Sequence, residues 1–196
     1  MAGVNNVTDL RYPFSESAVR DLRAGDIVRV SGRIFTGRDR LHKHLAEGGA
    51  CPVPLCDGAI FHCGPVVVRD GGGWRVVAAG PTTSVREEPY MARVIEEFGV
   101  RVIIGKGGMG AATRAACQRF GCVYLQAVGG AATLLARRIT RVAGVHFLEN
   151  FGATEALWEL EVDALETVVG IDAHGRSLYD EIRAASADAL RRLSAR

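Results

Sequence analysis

Three glycine-bearing segments hold most of the hydroxyls and cations able to do chemistry. In the first, Gly80-Pro81-Thr82-Thr83-Ser84-Val85-Arg86, two threonines and an arginine follow an apolar run and precede a helix-like segment. Free N–H groups and the dipole at a helix N-terminus favour anions, and a guanidinium there can grip a carboxylate through two parallel hydrogen bonds. The plainer reading is an ordinary helix start, because Ser84 and Glu87 have capping-box spacing.

The second segment is Gly105-Lys106-Gly107-Gly108-Met109-Gly110. Ala111 and Ala112 follow its last glycine, so it is not a Walker loop. The glycine spacing and the lack of an acidic residue about 20 positions on also exclude a dinucleotide fingerprint. What remains is one lysine on flexible backbone at the end of a strand, where ligands of α/β sheets bind. Four glycines in six residues cost more conformational entropy than a simple turn requires. Gly129-Gly130 repeats the strand, glycine, helix order, so three loops are expected to converge on one site.

A third charged segment, Thr36-Gly37-Arg38-Asp39-Arg40-Leu41-His42-Lys43-His44, reads first as a solvated helix start. His42 and His44 lie two apart, on different sides of a helix, which disfavours a metal pair. Neither Cys51-x4-Cys56-x6-Cys63 nor Cys117-x4-Cys122 has zinc-ribbon or ferredoxin spacing, so no metal ligand is assigned here.

The elements that must position these loops alternate. An arm is expected over 1–16, a strand over 26–35, a helix over 38–45, a strand pair over 58–70 around Cys63-Gly64-Pro65, and a strand over 74–79. Pro89 in the first turn, an apolar face of Met91, Val94, Ile95 and Phe98, and Gly99 at the end mark the clearest helix. Strands at 100–104 and 123–126 alternate with helices at 111–120 and 131–142, which predicts βαβ units and some parallel pairing. Strands at 158–162 and 167–171 follow. A helix over 177–194 closes the chain, its inner face expected to be Leu178, Ile182, Ala185, Ala189 and Leu193.

Length and composition fit one α/β domain over 1–196, with an arm over 1–20, a core over 21–180 and a terminal helix over 181–196. A net charge of +2 with 23% charged residues argues against disorder and against a strongly basic nucleic-acid binder. The start lacks the apolar core of a secretory signal, and no run approaches the roughly 18 apolar residues of a membrane span. Five cysteines, an odd number near apolar segments, suit free thiols in the cytoplasm. The 24 glycines exceed the usual share of about 7% and are clustered, as tight turns or close backbone approach to a ligand require.

Taken in order, Ser31-Gly-Arg-Ile-Phe-Thr-Gly-Arg-Asp39, Gly80 to Arg86, Ile104-Gly-Lys-Gly-Gly108, Val123-Tyr124-Leu125 with Gly129-Gly130-Ala131-Ala132, and Trp158-Glu-Leu-Glu-Val162 through Ile171-Asp172 form a specific set. From about Leu22 to Tyr179 the chain resembles the C-terminal domain of class I fumarate hydratases and L-tartrate dehydratases, which is a separate β subunit in two-subunit members. Glu87-Glu88 stands where that family usually has Met-Asp, and Gly152-Ala153-Thr154-Glu155-Ala156 where it has Gly-Met-Pro-Glu-Ala. Residues Gly49 to Asp57 are also less family-like.

The resemblance implies a swivelling β/β/α domain with a mixed sheet that closes over an α subunit. A four-iron, four-sulfur cluster is then held by that α subunit's cysteines, and one open iron acts on the substrate hydroxyl. Arg38, Arg86 and Lys106 are implied to bind a 2-hydroxy dicarboxylate, malate ahead of tartrate. Thr82, ahead of Thr83, is the implied proton acceptor, with Lys106 also catalytic and Thr83 also binding substrate. His42 matches a family position without a role. The partners implied are the α subunit and, through a β–β contact, a second copy in a heterotetramer, with no nucleic acid and no membrane. Two other readings stay open: a non-catalytic anion-binding homo-oligomer, and a thiol or metal module built on the cysteines.

Overall fold

The computed structural model describes residues 7–194. The first six residues of the expected arm and the last two of the terminal helix lie outside them. In chain order the elements are β1 (Val7–Arg11), α1 (Glu16–Asp21), β2 (Ile27–Thr36), α2 (Asp39–Ala46), β3 (Ala59–Phe61), β4 (Val66–Asp70), β5 (Gly73–Ala78), a 3-10 turn (Ser84–Glu87), α3 (Glu88–Phe98), β6 (Val102–Gly105), α4 (Ala111–Phe120), β7 (Val123–Gln126), α5 (Ala132–Ala136), β8 (Ile139–His146), α6 (Leu148–Phe151), β9 (Leu157–Ile171) and α7 (Leu178–Ser194).

The fold is α/β around a mixed seven-stranded sheet of order β1-β2-β3-β6-β7-β9-β8. Pairing is parallel from β1 through β7, whereas β9 runs antiparallel to β7, β8 and β2. Because β9 reaches both β7 and β2, the sheet bends back on itself. Side chains alternate across it, as a strand's period of two demands. Ala59, Phe61, Val102, Ile104, Val123 and Leu125 enter one core. Ile60, Ile103 and Tyr124 enter another, shared with Leu41 and Leu45 of α2, Met91, Val94 and Ile95 of α3, and Cys117 of α4. The α3 helix therefore buries the face expected of it, and Gly99 ends it in the left-handed conformation with its N–H on the Ile95 carbonyl.

Several local readings change. Val7–Arg11, part of the expected arm, is an edge strand paired with β2. The expected strand pair around Cys63 is divided: β3 joins the main sheet, while β4 pairs with β5 in a separate hairpin. Gly71 and Gly72, both at positive φ, form the two-residue turn of that hairpin. The helix expected over 131–142 stops at Ala136, and Ile139–His146 is strand β8. A short apolar run does not distinguish the two periods, and pairing with β9 decides it. The two strands expected near 160 and 170 are one 15-residue strand, with an irregularity at Ala164, where φ is 49°. Of the expected inner face of the terminal helix only Leu178 is partly buried; Ile182, Ala185, Ala189 and Leu193 are exposed.

Candidate functional site

The loops after β6 and β7 and the segment before α3 meet at the C-terminal ends of parallel strands. Thr83 and Lys106 pair as an isolated parallel bridge, and Ser84 donates its N–H to the Lys106 carbonyl at 2.9 Å. Thr82 donates its N–H to the His62 carbonyl at 2.6 Å, just beyond β3. The third glycine loop is tied in by the Ala79 N–H on the Ala132 carbonyl at 2.9 Å. A Cβ on Gly129 would lie 3.7 Å from Cδ of Lys106, so the lysine stem runs beside that loop.

The Arg38 segment joins the group through carboxylates. Arg86 donates to Asp39 from Nε (3.1 Å) and Nη2 (2.5 Å). Arg38 lies 3.9 Å from Asp39 and 3.5 Å from Glu155. Glu155 also accepts the Arg40 N–H at 3.0 Å. Its segment is fixed by Trp158, whose indole N–H donates to the Ala153 carbonyl and whose backbone N–H donates to Thr36 Oγ1. Two of the three expected substrate cations are thus partly compensated. Lys106 has no ion pair among the described residues.

Behind the loops lies a buried polar group that the sequence reading did not assemble. Ser84 Oγ accepts from the Tyr124 hydroxyl at 3.0 Å and lies 2.9 Å from His62 Nδ1. The capping box is therefore not made: Ser84 faces inward, and the N-terminus of α3 has no side-chain cap. A Cβ on Gly105 would fall 1.9 Å from Ser84 Oγ, which explains the glycine there. Tyr179, at the base of α7, hydrogen-bonds Gln126, and Gln126 accepts the Gly107 N–H at 3.2 Å. The Tyr179 ring also leaves no room for a side chain on Gly108.

His42, at the same depth, donates Nδ1–H to the Arg38 carbonyl at 2.9 Å, and its ring stands edge-on to His62 at 4.9 Å. Burial pushes His42 down to about 4 and His62 well below its ordinary value, with His42 adding to the effect. Glu87 Oε2 lies 3.6 Å from His42 Nδ1, and neither carboxyl oxygen has a hydrogen-bond partner. Burial, aided by Asp39, pushes Glu87 up to about 8 despite Arg86. Both histidines and Glu87 are therefore neutral near pH 7. The next residue, Glu88, does different work: its carboxylate accepts the N–H groups of Gly110, Ala112 and Thr113 and the Thr113 hydroxyl. It caps α4 from outside and fills the place an anion would take there.

The cysteines offer no cluster a ligand set. Cys63, Cys117 and Cys122 are buried, Cys56 is exposed and all five are free. Among the described residues no group of three or more His, Cys, Asp or Glu side chains is placed to hold a metal ion. No described helix is long and apolar enough to cross a membrane.

This α/β domain sets hydroxyls, guanidiniums and an ammonium on loops at the ends of its strands. Its sequence matches the family model described as the fumarase C-terminus over residues 3–182, and the chain belongs to that family. A Geobacillus stearothermophilus protein provisionally named a class I fumarate hydratase is 48% identical over 94% of this chain, which spans only 36% of that relative. The L(+)-tartrate dehydratase subunit beta of Escherichia coli K12 is 37% identical over 88% of this chain and 86% of its own length. A Methanocaldococcus jannaschii protein provisionally given the same name is 37% identical, with 88% and 93% covered. The reactions in these names are hydro-lyase reactions.

Proposed function

We propose that this chain is the β half of a two-subunit hydro-lyase that reversibly removes water from a 2-hydroxy dicarboxylate, malate ahead of tartrate. The observation carrying this reading is the backbone pairing of Thr83 with Lys106, which sets Thr82, Arg86 and Lys106 on adjoining loops. The Arg86–Asp39–Arg38 contacts bring in the third cation. The tartrate dehydratase β subunits, similar in length as well as sequence, support a separate α partner.

Removal of water needs a proton taken from carbon and a hydroxyl turned into a leaving group. The second task falls to a metal centre, in this reading the four-iron, four-sulfur cluster of the α subunit; among the described residues of this chain no group of three or more His, Cys, Asp or Glu side chains is placed to hold a metal ion. This chain's task is the first. Arg38, Arg86 and Lys106 hold the carboxylates, and Thr83 lines their approach. Thr82 takes the proton. A threonine hydroxyl is a weak base, so Arg86 and Lys106 must also stabilise its oxyanion. An incoming dianion exchanges with Asp39 and Glu155 for the two arginines. That exchange costs little at Arg86, which is half exposed.

Anaerobic co-expression with the matching α subunit, followed by assays of fumarate, malate and tartrate, tests the reading. Turnover of a dicarboxylate by the pair, and by neither chain alone, supports it. Dicarboxylate binding by the isolated chain, with no turnover in the pair, returns the function to a non-catalytic anion-binding oligomer.

A further inference from the structure

The α7 helix leaves the domain after its first turn. Leu178 and Tyr179 are partly buried, but every residue from Glu181 to Ser194 is exposed. At 1.5 Å per residue this is about 20 Å of projecting helix, and isolated helices of about 12–15 residues are marginal in water. This one also carries an apolar stripe. Ile182, Ala185, Ala189 and Leu193 recur at helical spacing on one face with Leu190 beside them, and Ile182, Leu190 and Leu193 are 64%, 64% and 68% exposed.

We propose that α7 is a dimerisation element that pairs antiparallel with α7 of a second copy of this chain. The stripe is large at both ends, at Ile182 and Leu193, and small between them, at Ala185 and Ala189. In an antiparallel pair Ile182 of each copy faces Leu193 of the other, and Ser186 faces Ala189, so small residues occupy the crossing where the helix axes come closest. The charges at its edge are also self-complementary. Glu181 and Arg192 are eleven residues apart, on the same flank and at opposite ends. A twofold axis brings each Glu181 to the Arg192 of the other copy, as an isologous interface requires. Parallel pairing instead puts this flank of the two copies on opposite faces of the pair, where neither charge meets its opposite. The helix dipole accounts for acid at the start and base at the end, but not for their sharing one flank of the stripe. Glu181 already accepts from Arg176, and its half-exposed carboxylate can take a second donor.

Two helices alone bury less than the roughly 1,200–2,000 Å² of a standard stable interface. The pair is therefore expected to dissociate on dilution. The pairing locates the β–β contact of the hydro-lyase reading, yet its test needs only this chain, so either can fail without the other.

Sedimentation velocity of the full chain across the micromolar range is expected to show a monomer–dimer equilibrium. Ile182→Asp and Leu193→Asp each abolish the dimer without lowering the melting temperature, since neither residue touches the core. Glu181→Arg and Arg192→Glu each weaken self-association at least tenfold, and an equimolar mixture of these two variants recovers it, because their heterodimer pairs opposite charges at both ends. A chain monomeric at every concentration overturns the proposal, as does a dimer indifferent to the stripe variants. A chain that is monomeric alone but needs Ile182 and Leu193 to bind the α subunit overturns it in favour of that occupant.

Discussion

Arg86 is gripped by Asp39 through two nitrogens, at 3.1 and 2.5 Å, and the same carboxylate lies 3.9 Å from Arg38. One acid thus spans the two guanidiniums expected to receive substrate carboxylates. Under the proposed function it orients them and competes with the substrate carboxylates. In the assembled enzyme, Asp39→Asn should lower KM a few-fold, because a negative charge leaves the site, and lower kcat, because Arg86 loses its orientation. Steady-state kinetics on a dicarboxylate read both. Unchanged kcat with unchanged KM removes the competition argument.

Thr82→Ala should lower kcat by about 10²–10⁴, the range for a group that moves a proton, with KM changed far less. Thr82→Ser should recover part of the loss. Equal losses in binding and turnover would reassign Thr82 to substrate binding.

Glu87 gives stability a defined pH profile. Its folded value of about 8 lies above its ordinary 4.5, so the folded chain holds the extra proton, and Glu87's contribution is full below 4.5 and lost as pH rises through 8. His42, lowered from 6.5 to about 4, acts oppositely: its contribution is full above 6.5 and lost as pH falls through 4. Below 6.5 Glu87's slope is opposed by those of His42 and His62, both of which burial lowers, so Glu87's decline stands alone only between 6.5 and 8. Melting temperatures should fall across that interval in the wild type and stay level in Glu87→Gln. Parallel curves for the two proteins count against a buried neutral acid.

Gly105 and Ser84 should be strongly coupled. A Cβ at 105 overlaps Ser84 Oγ, so Gly105→Ala alone should cost about 1–3 kcal/mol, the usual range for overpacking. In a Ser84→Ala background the same change should cost less than half as much. A denaturant double-mutant cycle measures the difference, and additive costs would show that the overlap relaxes elsewhere.

Glu88 caps a helix other than its own. Glu88→Ala should destabilise the chain by about 2 kcal/mol, the upper end of cap losses, because three N–H groups and one hydroxyl lose their acceptor. Glu88→Gln should retain part of the stability. Chemical denaturation is the measurement, and a loss below about 0.5 kcal/mol means that water replaces the cap.

Local patterns read directly from the sequence were those carried by a single segment. The α3 face of Met91, Val94 and Ile95, its Gly99 terminus and the glycine loops after β6 and β7 follow from periodicity and φ preference, which neighbours in the chain suffice to set. Residues 139–142, expected as the end of a helix, are strand because their state comes from pairing with β9, about twenty residues on. The partners Asp39 and Glu155 gave no signal either. Glu155 reaches Arg38 across more than a hundred residues, through a segment fixed by Trp158 and Thr36. His62 could have been noticed as a polar residue just past a buried strand.

By itself, then, the sequence determined an α/β domain, glycine loops at strand ends, and the cations and hydroxyls available to an anion. Tertiary structure decided how those groups are used. It turned Ser84 and Glu87 inward, where burial keeps Glu87 neutral, and set carboxylates against Arg38 and Arg86. It also carried α7 clear of the core. Helical and strand periods are local properties of the chain, whereas burial and charge compensation depend on residues that only folding brings within a few ångströms.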